Sequence, residues 1–309
     1  MDFDNLYVLI ATAGRPSLLR STLHSLVECH KPSVYKRTLI IENGPKCGAK
    51  AIVNQFKDKL SAQYLYVERS NKSHALNVAL QHLDDGLIFF TDDDVHVHPD
   101  ALKLYSEAAT ECTRSSFFGG PVEADYEKKP PAWLTPHLPG SAAGWAMGGI
   151  DQEKSEWFIG VNWAAFRSDL LKAGAFNPDV GPGSQTGSTG QETDMQQRLI
   201  ELDIQKIFLP DAIVHHHVPA KRSSAWWALK RVYRNGIKMG MAYDLSADQS
   251  LIFGYPKWMF SVPVKVYFRH FLSSLFTGDR SSSFGELVKI SRHLGLMKGF
   301  RISKSSDAK

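Results

Sequence analysis

Short apolar runs alternate with segments of helical period along the first ninety-odd residues. Tyr7–Ala11 (YVLIA), Arg37–Ile41 (RTLII), Tyr64–Val67 (YLYV) and Leu87–Phe90 (LIFF) are β-rich and apolar almost without interruption, as strands buried on both faces require. Between the first two, Leu18, Leu19, Leu23 and Leu26 recur at helical spacing behind Pro16-Ser17, which predicts a helix opened by one of these residues. Further helices are predicted over Ala51–Leu60, from Asn71 through Leu83, and over Thr193–Leu202, ahead of a strand at Gln205–Leu209. Strands alternating with helices predict an α/β fold, a mixed sheet flanked by helices. Ligands of such sheets bind at the carboxyl edge. The polar loops fall there: Thr12–Pro16, Glu42–Pro45, Ser70–Asn77 and the triplet Asp92-Asp93-Asp94.

The triplet is the most informative stretch. Three adjacent carboxylates at the end of a buried strand repel one another and lose hydration, and a cation relieves both penalties. At a strand's end, period-2 geometry puts Asp92 and Asp94 on one side, two hard oxygen ligands suited to Mg²⁺ or Mn²⁺. The plainer reading is a polar turn whose aspartates cap the helix that starts near Pro99.

Composition bounds the class. The 309 residues suffice for a large core without disulfides, and the three separated cysteines, Cys29, Cys47 and Cys112, show no metal-ligand spacing and read as reduced thiols. The acidic start lacks the pattern of a signal peptide, and no apolar run is long enough to cross a bilayer, so the expected location is the cytoplasm. Charge is unevenly spread. The whole chain carries +4, yet Lys221 to Lys309 holds 16 Lys and Arg against 5 Asp and Glu, leaving the preceding 220 residues at −7. In that basic tail Trp226, Trp227, Leu229, Val232 and Tyr233 are interleaved with Lys230, Arg231 and Arg234, and a second apolar stretch runs from Val262 to Phe276. Such helices suit either a membrane interface rich in anionic lipid or packing on a domain; the first is favoured by the charge excess. No nucleic-acid motif accompanies the basic residues, so nucleic acid is not expected as a partner. Ser303 to Lys309 is expected to fray.

The motifs, in order, carry a resemblance. They are Ala11-Thr12 with Arg15-Pro16-Ser17, Ile40-Ile41-Glu42-Asn43-Gly44, Asn71-Lys72-Ser73 with Ala75-Leu76-Asn77, and Asp92-Asp93-Asp94-Val95 with Pro99-Asp100-Ala101-Leu102. Then come Phe118–Val122 with Pro131–Leu134, Gly160–Arg167, Phe176-Asn177 with Gly181, Gly190–Asp194 with Arg198-Leu199, and Ala212–Arg222. Together, over roughly residues 5 to 240, these resemble a family 2 glycosyltransferase of the nucleotide-sugar-binding GT-A fold. The resemblance implies a domain over 1–222, with a nucleotide half (1–98) and an acceptor half (99–222), followed by a helical extension over 223–309. It implies that Thr12, Ala13, Arg15 and Glu42 line the base and ribose with Asn71, Ser73 and Asn77 nearby. Asp92 and Asp93 then belong to the donor site, Asp92 facing the ribose or the metal. Asp94 and His216, the histidine that precedes Val218-Pro219 in the family register, ligate Mn²⁺ or Mg²⁺, and Arg222 is aimed at the diphosphate.

The general base of sugar transfer must be a carboxylate over the acceptor hydroxyl. Glu192 is the first candidate and Asp194 the second, both in the first turn of a helix. Here the chain departs from the family pattern, because Gln191 stands where the first acid of an acidic pair is usual. Asn162, Trp163 and Trp133 are acceptor-side candidates, although a buried tryptophan is the commoner role. The expected activity is inverting, metal-dependent transfer from a nucleotide-sugar, a UDP-sugar first, to a glycan or lipid-linked hydroxyl. Two alternatives stay open. A sugar nucleotidyltransferase would need more cations after the first strand than Arg15 alone, and an inactive glycan-binding scaffold would account for Gln191.

Overall fold

The computed structural model describes residues 3–146, 157–185, 190–243, 245, 249–260, 267–268, 271–272 and 278–307. Two compact units emerge. The first is formed by residues up to Asp125 together with Gly144–His217, and the second by Tyr126–Ala143 together with everything from Val218 on.

In the first unit, β1 (Leu6–Thr12) is followed by α1 (Pro16–Glu28), β2 (Tyr35–Asn43), α2 (Ala49–Gln55), α3 (Lys57–Leu60), β3 (Gln63–Val67), α4 (Lys72–Gln81), β4 (Leu87–Asp92), β5 (Val95–Val97) and α5 (Ala101–Glu111). β6 (Ser116–Gly119) and β7 (Val122–Tyr126) follow. After the excursion into the second unit, which carries the single turn α6 (Gly140–Ala143), come β8 (Trp163–Phe166), α7 (Arg167–Lys172), α8 (Gln191–Glu201), β9 (Gln205–Phe208) and β10 (Val214–Val218). Seven strands form one mixed sheet in the order β3-β2-β1-β4-β8-β6-β9, and β5, β10 and β7 form a second, three-stranded sheet. β1 is parallel to both β2 and β4, whereas β8 is antiparallel to β4 and β6.

Every residue of β1 is buried, and its alternation sorts the core. Leu6, Val8 and Ile10 point into the layer containing Leu19, Leu23 and Leu26 of α1, while Tyr7, Leu9 and Ala11 meet Ala75, Leu76 and Leu80 of α4 and Met195 and Leu199 of α8. Thus α1 and α4 cover opposite faces, and both begin at the carboxyl edge. Two buried hydroxyls of α1 replace a strand partner for β5: Thr22 Oγ1 accepts the Val95 N–H (3.1 Å) and Ser25 Oγ that of Val97 (3.0 Å). This ties the loop after β4 to α1, just beyond the acidic triplet.

The expected helix Ala51–Leu60 is two pieces, interrupted at Phe56, whose buried ring meets His24 edge-on. α8 begins at Gln191, two residues earlier than the pattern suggests. In the second unit α9 (Ala225–Met241) and α10 (Arg280–Asp307) are long helices, and a small hairpin, β11 (Leu251–Ile252) with β12 (Tyr255–Pro256), lies between them in sequence. α10 is described as far as Asp307, inside the stretch Ser303 to Lys309 expected to fray. Of the apolar stretch Val262–Phe276, most lies outside the described residues, as do residues 186–189 of the glycine-rich segment before α8.

Candidate active site

β4 ends at Asp92, so the triplet is split: Asp92 closes the strand, and Asp93 and Asp94 form the turn into β5. The strand-based pairing of Asp92 with Asp94 is therefore corrected. Asp93 and Asp94 are the pair brought together, by Arg15, whose two Nη atoms reach Asp93 and Asp94 respectively. Arg15 is the residue before α1, and its place there is set by Pro16 at the helix's first position. Thr12 Oγ1, at the end of β1, donates to Asp93 Oδ2 at 2.6 Å. Asp93 is fully buried, and burial pushes its carboxyl up to about 6 in spite of the opposing pull of Arg15 and the Thr12 hydroxyl.

His216 approaches from β10. Its neighbours His215 and His217 lie on the other face of that strand beside Glu123 (3.4 Å) and Asp125 (3.9 Å), while buried His216 presents Nε2 to Asp94 Oδ1 at 3.4 Å. The backbone closes the same contact, the His217 N–H donating to the Asp94 carbonyl at 2.8 Å.

Asp92 has a different partner. Lys72, the first residue of α4, places Nζ 2.6 Å from Asp92 Oδ1 and 3.4 Å from Glu192 Oε1. Burial pushes the Lys72 ammonium down, but Asp92 and Glu192 outweigh it and hold the group above its ordinary range. Glu192 stands in the first turn of α8. Its Oε1 also accepts from Gln191 Nε2 at 2.6 Å. Asp194 does not join this group; it pairs with Arg198 one turn along at 2.7 Å, and Arg198 also donates to the Ala173 and Ala175 carbonyls.

At the end of β2, buried Glu42 accepts the Cys47 N–H on Oε1 (2.7 Å) and the Tyr64 hydroxyl on Oε2. It lines a cleft of about 540 Å³ together with Lys46, Lys50, Asn54, Tyr64 and Tyr66. Ala13 is exposed in the loop after β1.

Several expected positions do other work. Asn71 caps α4 through the His74 N–H (2.8 Å) and donates to the Pro178 carbonyl (2.8 Å); Ser73 donates to Val180 (2.6 Å); Asn77 exchanges two bonds with Phe176. These three dock the segment Phe176–Gly183 onto α4, so their polar atoms are spent on backbone rather than left for a donor. Asn162 and Trp163, expected on the acceptor side, lie in the interior. Asn162 is fully buried, accepting from Tyr105 and donating to the Pro121 and Ala212 carbonyls. Trp163 is buried against Phe90, ring stacked on ring at 4.6 Å. Trp133 and Arg222 belong to the second unit.

The family described as glycosyltransferase-like family 2 matches residues 4–236. The chain belongs to this family. Among curated proteins none matches it. Among solved structures, the mannosyltransferase PcManGT from Pyrobaculum calidifontis, in complex with GDP-Man and Mn²⁺, is similar at 16% identity and a TM-score of 0.58, covering 95% of this chain and 87% of its own. Residues 1–349 of S. aureus TarS, in complex with UDP-GlcNAc, are similar at 12% identity and a TM-score of 0.54, covering 98% and 92%. The glycosyltransferase thus has the GT-A fold, and the carboxyl-edge cluster is its candidate active site.

The donor set fits a divalent ion. Four carboxylates, Asp92, Asp93, Asp94 and Glu192, are met by two fixed cations, Arg15 and Lys72, an excess of two negative charges. Asp94 and His216 converge within 3.4 Å, a carboxylate and an imidazole compatible with Mn²⁺. Among the described residues no group of three or more His, Cys, Asp or Glu is placed to hold a metal. The residue the sequence reading passed over is Lys72. A cation in the first turn of a helix opposes the dipole, and its presence at this sheet edge calls for acids nearby.

Proposed function

We propose that this glycosyltransferase moves a sugar from a nucleoside-diphosphate donor, a UDP-sugar first, to a hydroxyl of a glycan or lipid-linked acceptor with inversion at the anomeric carbon. The reading is carried by the placement of Glu192, an ionisable group beside the acid–Arg15–His216 cluster, with one oxygen held and one open. Glu192 Oε2 takes the acceptor proton. The acceptor oxygen bonds to the anomeric carbon from the side opposite the diphosphate, and the bond from that carbon to the diphosphate oxygen breaks with its electron pair on the leaving group. One-step displacement inverts the centre. Asp94 and His216 would hold Mn²⁺ or Mg²⁺, which supplies positive charge against the departing diphosphate. Arg15 adds a second cation there, and Thr12 fixes Asp93 so that Arg15 is aimed. The cleft beside Glu42, with its two tyrosines, suits an aromatic base, and the carboxylate suits the N–H of uracil.

The lipid-linked acceptor is supported by the second unit. It holds a basic excess, and Phe253 at the tip of the β11–β12 hairpin is 91% exposed and Trp226 on α9 76% exposed. Among the described residues no helix is long and apolar enough to cross a membrane, so the contact proposed is peripheral, at an anionic lipid surface.

The test is thermal unfolding with UDP, GDP, dTDP or CMP, each with Mn²⁺, Mg²⁺ or EDTA. Ligand at about 100 times its dissociation constant adds roughly 2.7 kcal/mol. A UDP shift that requires the metal and is lost in Asp94→Ala supports the reading; a UDP shift equal in EDTA removes the metal from it, and no shift with any nucleotide overturns it.

A further inference from the structure

Three residues surround the Glu192 carboxylate. Gln191 is buried, and its Nε2 donates to Glu192 Oε1 at 2.6 Å. Lys72 Nζ stands 3.4 Å from the same oxygen, its own position fixed by Asp92 at 2.6 Å. Against the same carboxylate lies Gly160, where an added Cβ would collide with Glu192 Oε1 and Cδ. Both donors converge on Oε1, and among the described residues nothing hydrogen-bonds Oε2.

We infer that Gln191, Lys72 and Gly160 form a seat that pins Glu192 by one oxygen and presents the other to the acceptor hydroxyl. The inference rests on the reading of Glu192 as general base. It also gives the departure at Gln191 a physical reason. An acid at 191 would set a second carboxylate against Glu192, whereas a carboxamide donates a hydrogen bond and adds no charge. A pinned carboxylate has a fixed direction of proton acceptance, and directional error at a reacting group is costly. Gln191 and Lys72 are positioning residues, since they act through Glu192; Gly160 supplies the space, as only a residue without a Cβ can.

The experiment compares wild type with Gln191→Leu, Gln191→Glu and Gly160→Ala. Turnover is read as nucleotide release from UDP-glucose, UDP-GlcNAc, GDP-mannose and dTDP-glucose with Mn²⁺ and water as acceptor. Nucleotide binding is read by the thermal shift with the matching diphosphate. All three variants are expected to keep the nucleotide shift and the donor KM within about twofold while kcat falls on the order of 10- to 100-fold. A kcat within about twofold of wild type in Gln191→Leu and Gln191→Glu overturns the seat, as does a loss confined to KM. A readout independent of turnover is the urea double-mutant cycle of Gln191→Leu with Glu192→Gln. A coupling of about tenfold in the folding equilibrium supports the seat, and additivity overturns it. If wild type turns over none of the donors, the proposed function fails on its own account and the cycle alone decides the seat.

Discussion

Asp93 is a fully buried carboxylate, and replacing it with asparagine should change how stability depends on pH. The carboxyl has no exposure and titrates at about 6 against an ordinary 3.8. Between those values the native state keeps a proton that the unfolded chain has released, so the wild type is more stable below pH 4 and loses that stability as pH rises through 6. At 1.36 kcal/mol per pH unit the loss is about 3 kcal/mol when complete near pH 7.5. Asp93→Asn removes the titration. The amide nitrogen can face the Thr12 hydroxyl, which accepts as well as donates, leaving Oδ1 toward Arg15, so the contacts survive in outline. Urea unfolding in EDTA at pH 4 and pH 7.5 measures the difference between variant and wild type. It should move by about 2.5 kcal/mol in favour of the variant as pH rises, because the unfolded carboxyl is already half ionised at pH 4. A difference constant to within about 0.5 kcal/mol would refute the reasoning and mean that Arg15 and Thr12 already compensate the charge in full.

Glu192→Gln should leave the nucleotide-induced thermal shift intact and lower turnover on the order of 10²- to 10⁴-fold, whereas Asp194→Asn should cost about 0.5 kcal/mol of stability and little turnover; the reverse ranking in a donor-release assay would move the base to Asp194. The full chain should sediment with vesicles containing phosphatidylglycerol and not with pure phosphatidylcholine. Phe253→Asp should weaken that binding, and equal binding to both vesicles would refute a charge-led contact.

The sheet was legible because its strands are nearly continuous apolar runs, and the candidate site was placed where those runs stop. Arg15, Asp94 and His216 lie far apart in sequence and meet at one place, which ordered motifs can foretell and spacing alone cannot. Three expectations meet partners distant in sequence. Asn162 beside Trp163 suggests a sugar platform, but Tyr105, Pro121 and Ala212 consume its bonding capacity. Asn71, Ser73 and Asn77 suggest donor contacts, yet the carbonyls of Phe176, Pro178 and Val180 reach them first. Asp92 was paired with Asp94 by the period-2 geometry of a strand. The strand ends at Asp92, and the turn that follows gives Asp93 and Asp94 to Arg15.

The second unit is assembled from two stretches of chain, Tyr126–Ala143 and the residues from Val218 on, joined within it by bonds such as Ser223 Oγ to the Lys128 carbonyl at 2.9 Å and His137 to Ser281. A gene shortened after His217 would therefore orphan eighteen residues in the middle of the catalytic unit, with Trp133 and Phe284 no longer edge to face. Excising both stretches is the better surgery. Val122 and Trp145 already exchange two backbone bonds, at 2.8 and 2.7 Å, on either side of the gap, so a tight turn from Asp125 to Gly144 would close a hairpin whose strands are in register.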